Sequence, residues 1–372
     1  MMRYRELGRT GLRVSEVSLG TEYLIDLPKD HVVEVIHEAV TQGINYFDLF
    51  FAQPRFRDIM GEAFRGLRDR VYLAAHLGAA DRDGQYEKTR DPAEARRFFL
   101  DFLTRYRIDC VDVLFLHNCD EEDDYARIMG PGGFLDMARE FQRDGKARFI
   151  GFSGHTISTS RAAVESGAID VLMFTINMAG NAVPGKKELL QECVRRGVGL
   201  VAMKPFAGGK LLQGDGEIEM AKWQIGGGER RLDKRCAVTP VQCLSYALSQ
   251  IGVSTVVPGC RDLEQLAASL AYLGASDADK DYSAAVSAFK EYVSGQCVYC
   301  NHCLPCPSRI DIGRMIRTLE TAADPPTAAE REAYRALSAS ASDCTQCGSC
   351  AERCPFGVDV IGRMELAEKR FA

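Results

Sequence analysis

The chain has 372 residues, with 46 Lys+Arg against 52 Asp+Glu and a net charge of −6, which argues against a nucleic-acid surface. Hydrophobic residues make up 46% and charged residues 26%, the balance of a soluble globular protein. No apolar run approaches the ~20 residues of a membrane span, and the N-terminal stretch MMRYRELGRTGLRVSEV has no apolar core of a signal peptide. The expectation is a cytoplasmic protein that meets neither membrane nor nucleic acid.

Over the first 275 residues, short apolar or β-branched segments alternate with helical periodicity. The predicted strands cover 14–22, 44–50, 71–76, 111–118, 147–155, 171–177, 198–206 and 254–260. Amphipathic stretches such as 31–43, 92–107, 132–145 and 238–252 lie between them. Near-continuous apolar strands that alternate with helices indicate a parallel sheet. Eight such units predict a (β/α)8 TIM barrel over 1–275. The opening segment YRELGRTGLRVSEV reads as a hairpin across the barrel bottom. The acidic run Asp120–Asp124 reads as a solvated loop. The long Gly-rich segment 207–238, with Trp223, Arg230, Arg231, Lys234 and Arg235, reads as a lid.

Residues 276–372 predict a second, small and mostly helical domain. Eight of the 14 cysteines crowd into it. The first run is Cys297, Cys300, Cys303 and Cys306-Pro307. The second is Cys344, Cys347, Cys350 and Cys354-Pro355, with the C-x2-C-x2-C-x3-C-P spacing of bacterial ferredoxins. Zinc sites space paired cysteines differently. The fourth Cys of such a run characteristically ligates the other cluster. Two 4Fe-4S clusters are therefore expected, one on Cys297, Cys300, Cys303 and Cys354, the other on Cys344, Cys347, Cys350 and Cys306. His302 reads as a neighbour of the first. The six earlier cysteines, Cys110, Cys119, Cys193, Cys236, Cys243 and Cys260, read as small buried hydrophobes.

Active sites on this fold lie at the C-terminal ends of the strands. The polar residues there are Glu22, Asp48, His76, His117, Ser153, His155, Asn177 and Lys204, followed by the turn Pro258-Gly259-Cys260-Arg261. His76, His117 and His155 stand at three successive strand ends, out of six histidines in all. With Asp48 or Glu22 they also form a set that suits an open metal site.

At these residues the sequence resembles the aldo/keto reductase family, through YRELGRTGLRVSEVSLG, GINYFD with GEAF, VDVLFLHN, GKARFIGFS, KPFAGGKL and VVPGCRDLEQL. The tail resembles that of the subgroup with a C-terminal ferredoxin-like extension. The resemblance implies NADP(H), a small-molecule substrate and a tetrad of Asp, Tyr, Lys and His. Asp48 and His117 match the Asp and His. Gln53 stands where the Tyr belongs and His76 where the Lys belongs. Tyr46 and Tyr23 are nearby phenols. The family reads the nicotinamide carboxamide with Ser, Asn and Gln; Ser153 matches, while Gly154 and Met173 fill the other two places. Gly259, Cys260, Arg261, Glu264 and Gln265 match the adenosine end, where a helix N-terminus with Arg261 suits a phosphate.

Three readings follow. One is an iron–sulfur oxidoreductase using NADP(H), with Asp48, His76 and His117 as its catalytic set. Another is a nicotinamide-independent reductase fed by a ferredoxin-like partner through the clusters, with or without a metal at the barrel mouth. The last is a non-enzymatic redox sensor or electron-transfer module. Partly exposed clusters tolerate oxygen poorly, which points to an anaerobe.

Overall fold

A computed structural model describes residues 1–178, 183, 185–212, 217–218, 223–224, 229–230, 236–282, 285, 295, 297, 303–354 and 357–372. Eight parallel strands form one sheet in the order predicted for a barrel. They are β1 (Leu19–Gly20), β2 (Tyr46–Leu49), β3 (Tyr72–Leu77), β4 (Val111–Leu116), β5 (Ala147–Gly154), β6 (Val171–Thr175), β7 (Gly199–Met203) and β8 (Val253–Val257). The ends meet through the bridges Val17↔Val256 and Gly20↔Gly259, which nearly close the barrel. Strands β4, β7 and β8 are buried at every position, as expected for a sheet covered on both faces. Helices start where the sequence supplies caps. Asp91 accepts the N–H of Glu94 before Pro92–Tyr106. Thr239 and Gln242 form a capping box at Pro240–Ser249.

The bottom is plugged by the predicted hairpin, Tyr4–Glu6 against Arg13–Ser15. Its Leu7, Leu12 and Val14 pack with Tyr46, Ala74, Val113, Phe115, Val171 and Val201 as one interior cluster. Strand alternation then fixes the mouth. Asp48 stands two residues above Tyr46, His76 two above Ala74, and His117 two above Phe115, so all three share the inward face.

Helix Pro54–Ala63 carries Arg57, which is 2% exposed. Its guanidinium donates to the carbonyls of Phe51 (2.9 Å) and Phe98 (2.6 Å) and pairs with Asp101 (2.9 Å). A buried cation thereby fixes the loop after β2.

The chain divides into two compact units. One comprises Met1–Ala80 with Thr89–Tyr292, the other Asp81–Lys88 with Val293–Ala372. Asp81–Lys88 is most of a hairpin whose Asp83-Gly84 turn has both φ angles positive, at +52° and +84°. In the second unit, helices Ile312–Thr321 and Val360–Phe371 bury Met315, Ile316, Leu319, Met364 and Ala367. Tyr334 stacks on Phe371 with centroids 4.4 Å apart. Ser276 forms a capping box for the short helix Asp277–Lys280, which ends at the extended Asp281. Most of the expected lid lies outside the described residues; Ala207–Leu212 and two short two-stranded ladders of it are described. Among the described residues, no helix is long and apolar enough to cross a membrane.

Gly151 on β5 lies opposite Phe115 on β4. A Cβ at Gly151 would stand 2.3 Å from the Phe115 ring, which is fully buried and forms the floor beneath His76. Gly151→Ala is expected to destabilise the barrel by about 1–3 kcal/mol, the usual cost of overpacking. An unchanged urea midpoint would show that Phe115 has somewhere else to go.

Candidate active site

Three of the predicted residues are joined at the mouth. The Asp48 carboxylate lies 2.8 Å from His76 Nε2. His76 Nδ1 lies 2.8 Å from His117 Nδ1. All three are buried, at 8, 7 and 5% exposure. An ionised Asp48 accepts the Nε2–H of His76. The His76–His117 contact needs one proton between two nitrogens, so one ring donates through Nδ1 and the other accepts. Phe50 stacks on His117 at 5.9 Å, and Phe115 lies 5.0 Å from His76, so the relay sits between apolar walls.

A second relay stands beside the first. His155 Nδ1 is 3.0 Å from Asp120 Oδ2, and its Nε2 is 3.0 Å from Lys204 Nζ. Asp120 is 8% exposed and also accepts the backbone N–H of His155. This corrects the reading of 120–124 as a solvated loop. Asp120 turns inward because an imidazole needs its charge, Asp124 pairs with Arg90 at 2.9 Å, and Glu122–Met129 is helical. The acidic run hid this, since five carboxylates in a row look alike on paper. The two relays use His76, His117 and His155 separately, and among the described residues no group of three His, Cys, Asp or Glu side chains is arranged to hold a metal ion.

Gln53 stands at the N-cap position of helix Pro54–Ala63 without a side-chain capping bond, and its Oε1 is buried without a hydrogen-bond partner. Tyr46 is no substitute at the mouth. It is fully buried in the interior cluster, its hydroxyl has no partner, and burial, then the Asp48 and Asp112 carboxylates, push its pKa well up. Tyr23 packs instead on the Gly259 turn, where a Cβ would meet its ring at 2.5 Å.

Ser153 Oγ accepts the N–H of Asn118 at 2.9 Å. Gly154 has no room for a side chain, because a Cβ would lie 2.9 Å from the Cys119 carbonyl oxygen. Met173 is buried in the interior cluster. Asn118, adjacent to His117, was not singled out from sequence. It is 2% exposed, has φ +48°, and neither atom of its amide has a partner. Lys204 also has positive φ, at +55°. Non-glycine residues in this region carry strain and gather at functional sites. Thr175 Oγ1, at the end of β6, is a further buried atom without a partner. Orphaned polar atoms from the ends of β2, β4 and β6 are what a polar ligand at the mouth would satisfy. On that ground the residues fit a nicotinamide.

In the turn after β8, Arg261 is exposed. Its N–H donates to Gln265 Oε1 and its carbonyl lies 2.8 Å from His31 Nε2. Asp262 caps helix Leu263–Leu270 by accepting the Gln265 N–H, and Glu264 is in the first turn. The helix N-terminus thus already holds a carboxylate, with the Arg261 guanidinium exposed beside it. Cys260 is buried, and its thiol is pushed up to about 12 by desolvation. Cys119, Cys193 and Cys243 are also buried, whereas Cys110 is half-buried; burial of the Cys236 side chain lies outside the described residues.

In the second unit, Cys303, Cys306, Cys344, Cys347 and Cys350 line one pocket with Ile310, Ile312, Val360 and Met364. Gln346 and Gly348 have positive φ, +53° and +81°, and the Gln346 N–H points to Cys344 Sγ at 3.4 Å. Such turns form a nest of N–H donors, suited to an anionic cluster. The Ser349 N–H holds the Cys347 thiol below its ordinary range, and burial raises Cys350. Thiols in an apolar pocket backed by N–H donors fit a cubane. Arg353 donates to the carbonyls of Pro305 (2.8 Å) and Cys303 (3.4 Å), tying the two cysteine runs together. Cys297 is buried and Cys354 half-buried; Cys300 and His302 lie outside the described residues.

Comparison with known proteins accounts for both units. The model of the aldo/keto reductase family matches residues 16–290, and that of a 4Fe-4S dicluster domain matches 294–358. An uncharacterized oxidoreductase, YqkF, of Bacillus subtilis (strain 168) is 25% identical over 71% of this chain and 89% of its own length. An L-galactose dehydrogenase of Arabidopsis thaliana is 26% identical over 72% of this chain and 86% of its own. The holo form of the aldo-keto reductase AKR11C1 from Bacillus halodurans shares the fold, with a TM-score of 0.62 at 20% identity over 77% of this chain and 96% of that one. The chain belongs to the aldo/keto reductase family and is an oxidoreductase that carries a 4Fe-4S dicluster domain behind its barrel.

Proposed function

We propose that the chain interconverts a carbonyl and an alcohol on a small organic substrate at the barrel mouth, using NADP(H), with Asp48, His76 and His117 in place of the family's tetrad. The observation that carries this reading is the continuous Asp48–His76–His117 relay, with both links at 2.8 Å. When bound, NADPH supplies a hydride. His117 Nε2, the outer end of the relay, gives the proton to the carbonyl oxygen. His117 keeps its Nδ1–H bonded to His76 Nδ1, and Asp48 accepts the Nε2–H of His76, so both rings stay oriented as the proton leaves His117 Nε2. In the oxidising direction the same nitrogen accepts the alcohol proton. Ser153, with Gly259, Cys260, Arg261, Glu264 and Gln265, forms the remainder of the nucleotide site, Arg261 facing the phosphate.

In the tail, Cys306, Cys344, Cys347 and Cys350 are the ligands of one 4Fe-4S cluster, and Cys297, Cys300, Cys303 and Cys354 of the other. A second reading is favoured by Gly154 and Met173, which cannot hydrogen-bond a carboxamide through their side chains. In it a ferredoxin-like partner feeds electrons through the clusters, and the same relay supplies the protons. Calorimetry of NADP(H) with the cluster-replete protein under anaerobic conditions separates the two. Micromolar binding supports the first, and its absence supports the second.

His117→Ala is expected to abolish turnover in a screen of carbonyl compounds with NADPH while leaving iron content unchanged. Near-normal turnover would remove His117 from the reaction. Asp48→Asn takes the charged acceptor from behind His76 Nε2, and turnover is expected to fall by about 10- to 100-fold, the worth of one hydrogen bond to a charged group. Turnover unmoved by the substitution would show that the Asp48 carboxylate has no part in the relay. Cys347→Ser should lose about half of the bound iron. A full iron count would overturn the ligand set.

A further inference from the structure

We propose that Asn118 reads a primary carboxamide on the ligand bound at the barrel mouth. Its backbone is held from both sides. The N–H donates to Ser153 Oγ at 2.9 Å, and the carbonyl accepts from Arg90 Nη2 at 2.6 Å. It is kept at φ +48°, where glycine would be easier, and its amide is buried with neither oxygen nor nitrogen paired. Asparagine tolerates this left-handed conformation, so the backbone alone does not account for the unpaired amide. A ligand that offers a donor to Oδ1 and an acceptor to Nδ2 in one plane, as a carboxamide does, would satisfy both atoms.

The neighbours favour this chemistry. Gly154 is barred from carrying a side chain by the Cys119 carbonyl oxygen, and Met173 is apolar. Reading from the β5 and β6 side is thereby reduced to Ser153 and to Thr175 Oγ1, which is itself unpartnered. Asn118 restores a donor–acceptor pair from the β4 side, next to His117. The inference rests on the NADP(H) reading if the carboxamide belongs to the nicotinamide ring. The same chemistry fits an amide carried by the substrate.

The test uses the full, cluster-replete chain and anaerobic calorimetry with NADP+, its 3-acetylpyridine analogue, and 2′,5′-ADP. The analogue keeps the acceptor and loses the donor. The unaltered protein should prefer NADP+ to the analogue by about 10-fold, the worth of one hydrogen bond. Asn118→Gly should bring the two to equal affinity and leave 2′,5′-ADP binding unchanged. Its unfolding midpoint without ligand should equal or exceed that of the unaltered protein, because an unpaired amide and a strained φ are both removed. Retained discrimination, or a lowered midpoint, would overturn the proposal in favour of a structural role. If none of the three nucleotides binds, the NADP(H) reading fails, and benzamide becomes the probe. Benzamide binding that Asn118→Gly abolishes would assign the amide to the substrate, and no benzamide binding would overturn the proposal.

Discussion

Asp48 is a carboxylate taken out of water into a barrel, and the mouth is arranged around that cost. A buried charge needs a donor, and His76 supplies one. That leaves the second ring nitrogen of His76 to be satisfied, and His117 satisfies it. Phe50 and Phe115 then exclude water from both rings. In such surroundings each link is stronger than it would be in water, and each loss more costly. The inward face of three neighbouring strands thus becomes one hydrogen-bonded unit rather than three residues.

The same logic operates a second time at Asp120, His155 and Lys204, which follow β4, β5 and β7. Both relays stand on a barrel whose interior below them is apolar and close-packed. Strand register places Asp48 and His76 directly, whereas the second relay is held just beyond the strand ends. The positive φ of Asn118 and Lys204 marks where the chain leaves the strands to keep these contacts. A hydrogen-bonded route runs from the buried Asp48 carboxylate through His76 to His117 at the mouth.

The strand alternation, the plug and the cysteine spacing were legible because each follows from local periodicity. His76 and His117 were legible as strand ends. Their direct contact was not, since β3 and β4 are staggered and only register brings the rings together. Asp120 was misread because burial depends on its imidazole neighbour and not on its own acidic run. Tyr46 was misread because two residues along a strand separate the mouth from the closed core. Asn118 gave no sequence signal. Its interest lies in an amide without a partner, which only coordinates reveal. The need for glycine at 154 likewise comes from a carbonyl of another segment.

The iron–sulfur unit is not simply a tail. By its contacts it includes Asp81–Lys88, a stretch encoded more than two hundred residues earlier, between His76 and Arg90. A single cut at the domain junction would therefore leave one fragment of that unit behind inside the barrel sequence. Grafting the extension onto another barrel of this family would mean transplanting both pieces, Asp81–Lys88 and Val293–Ala372.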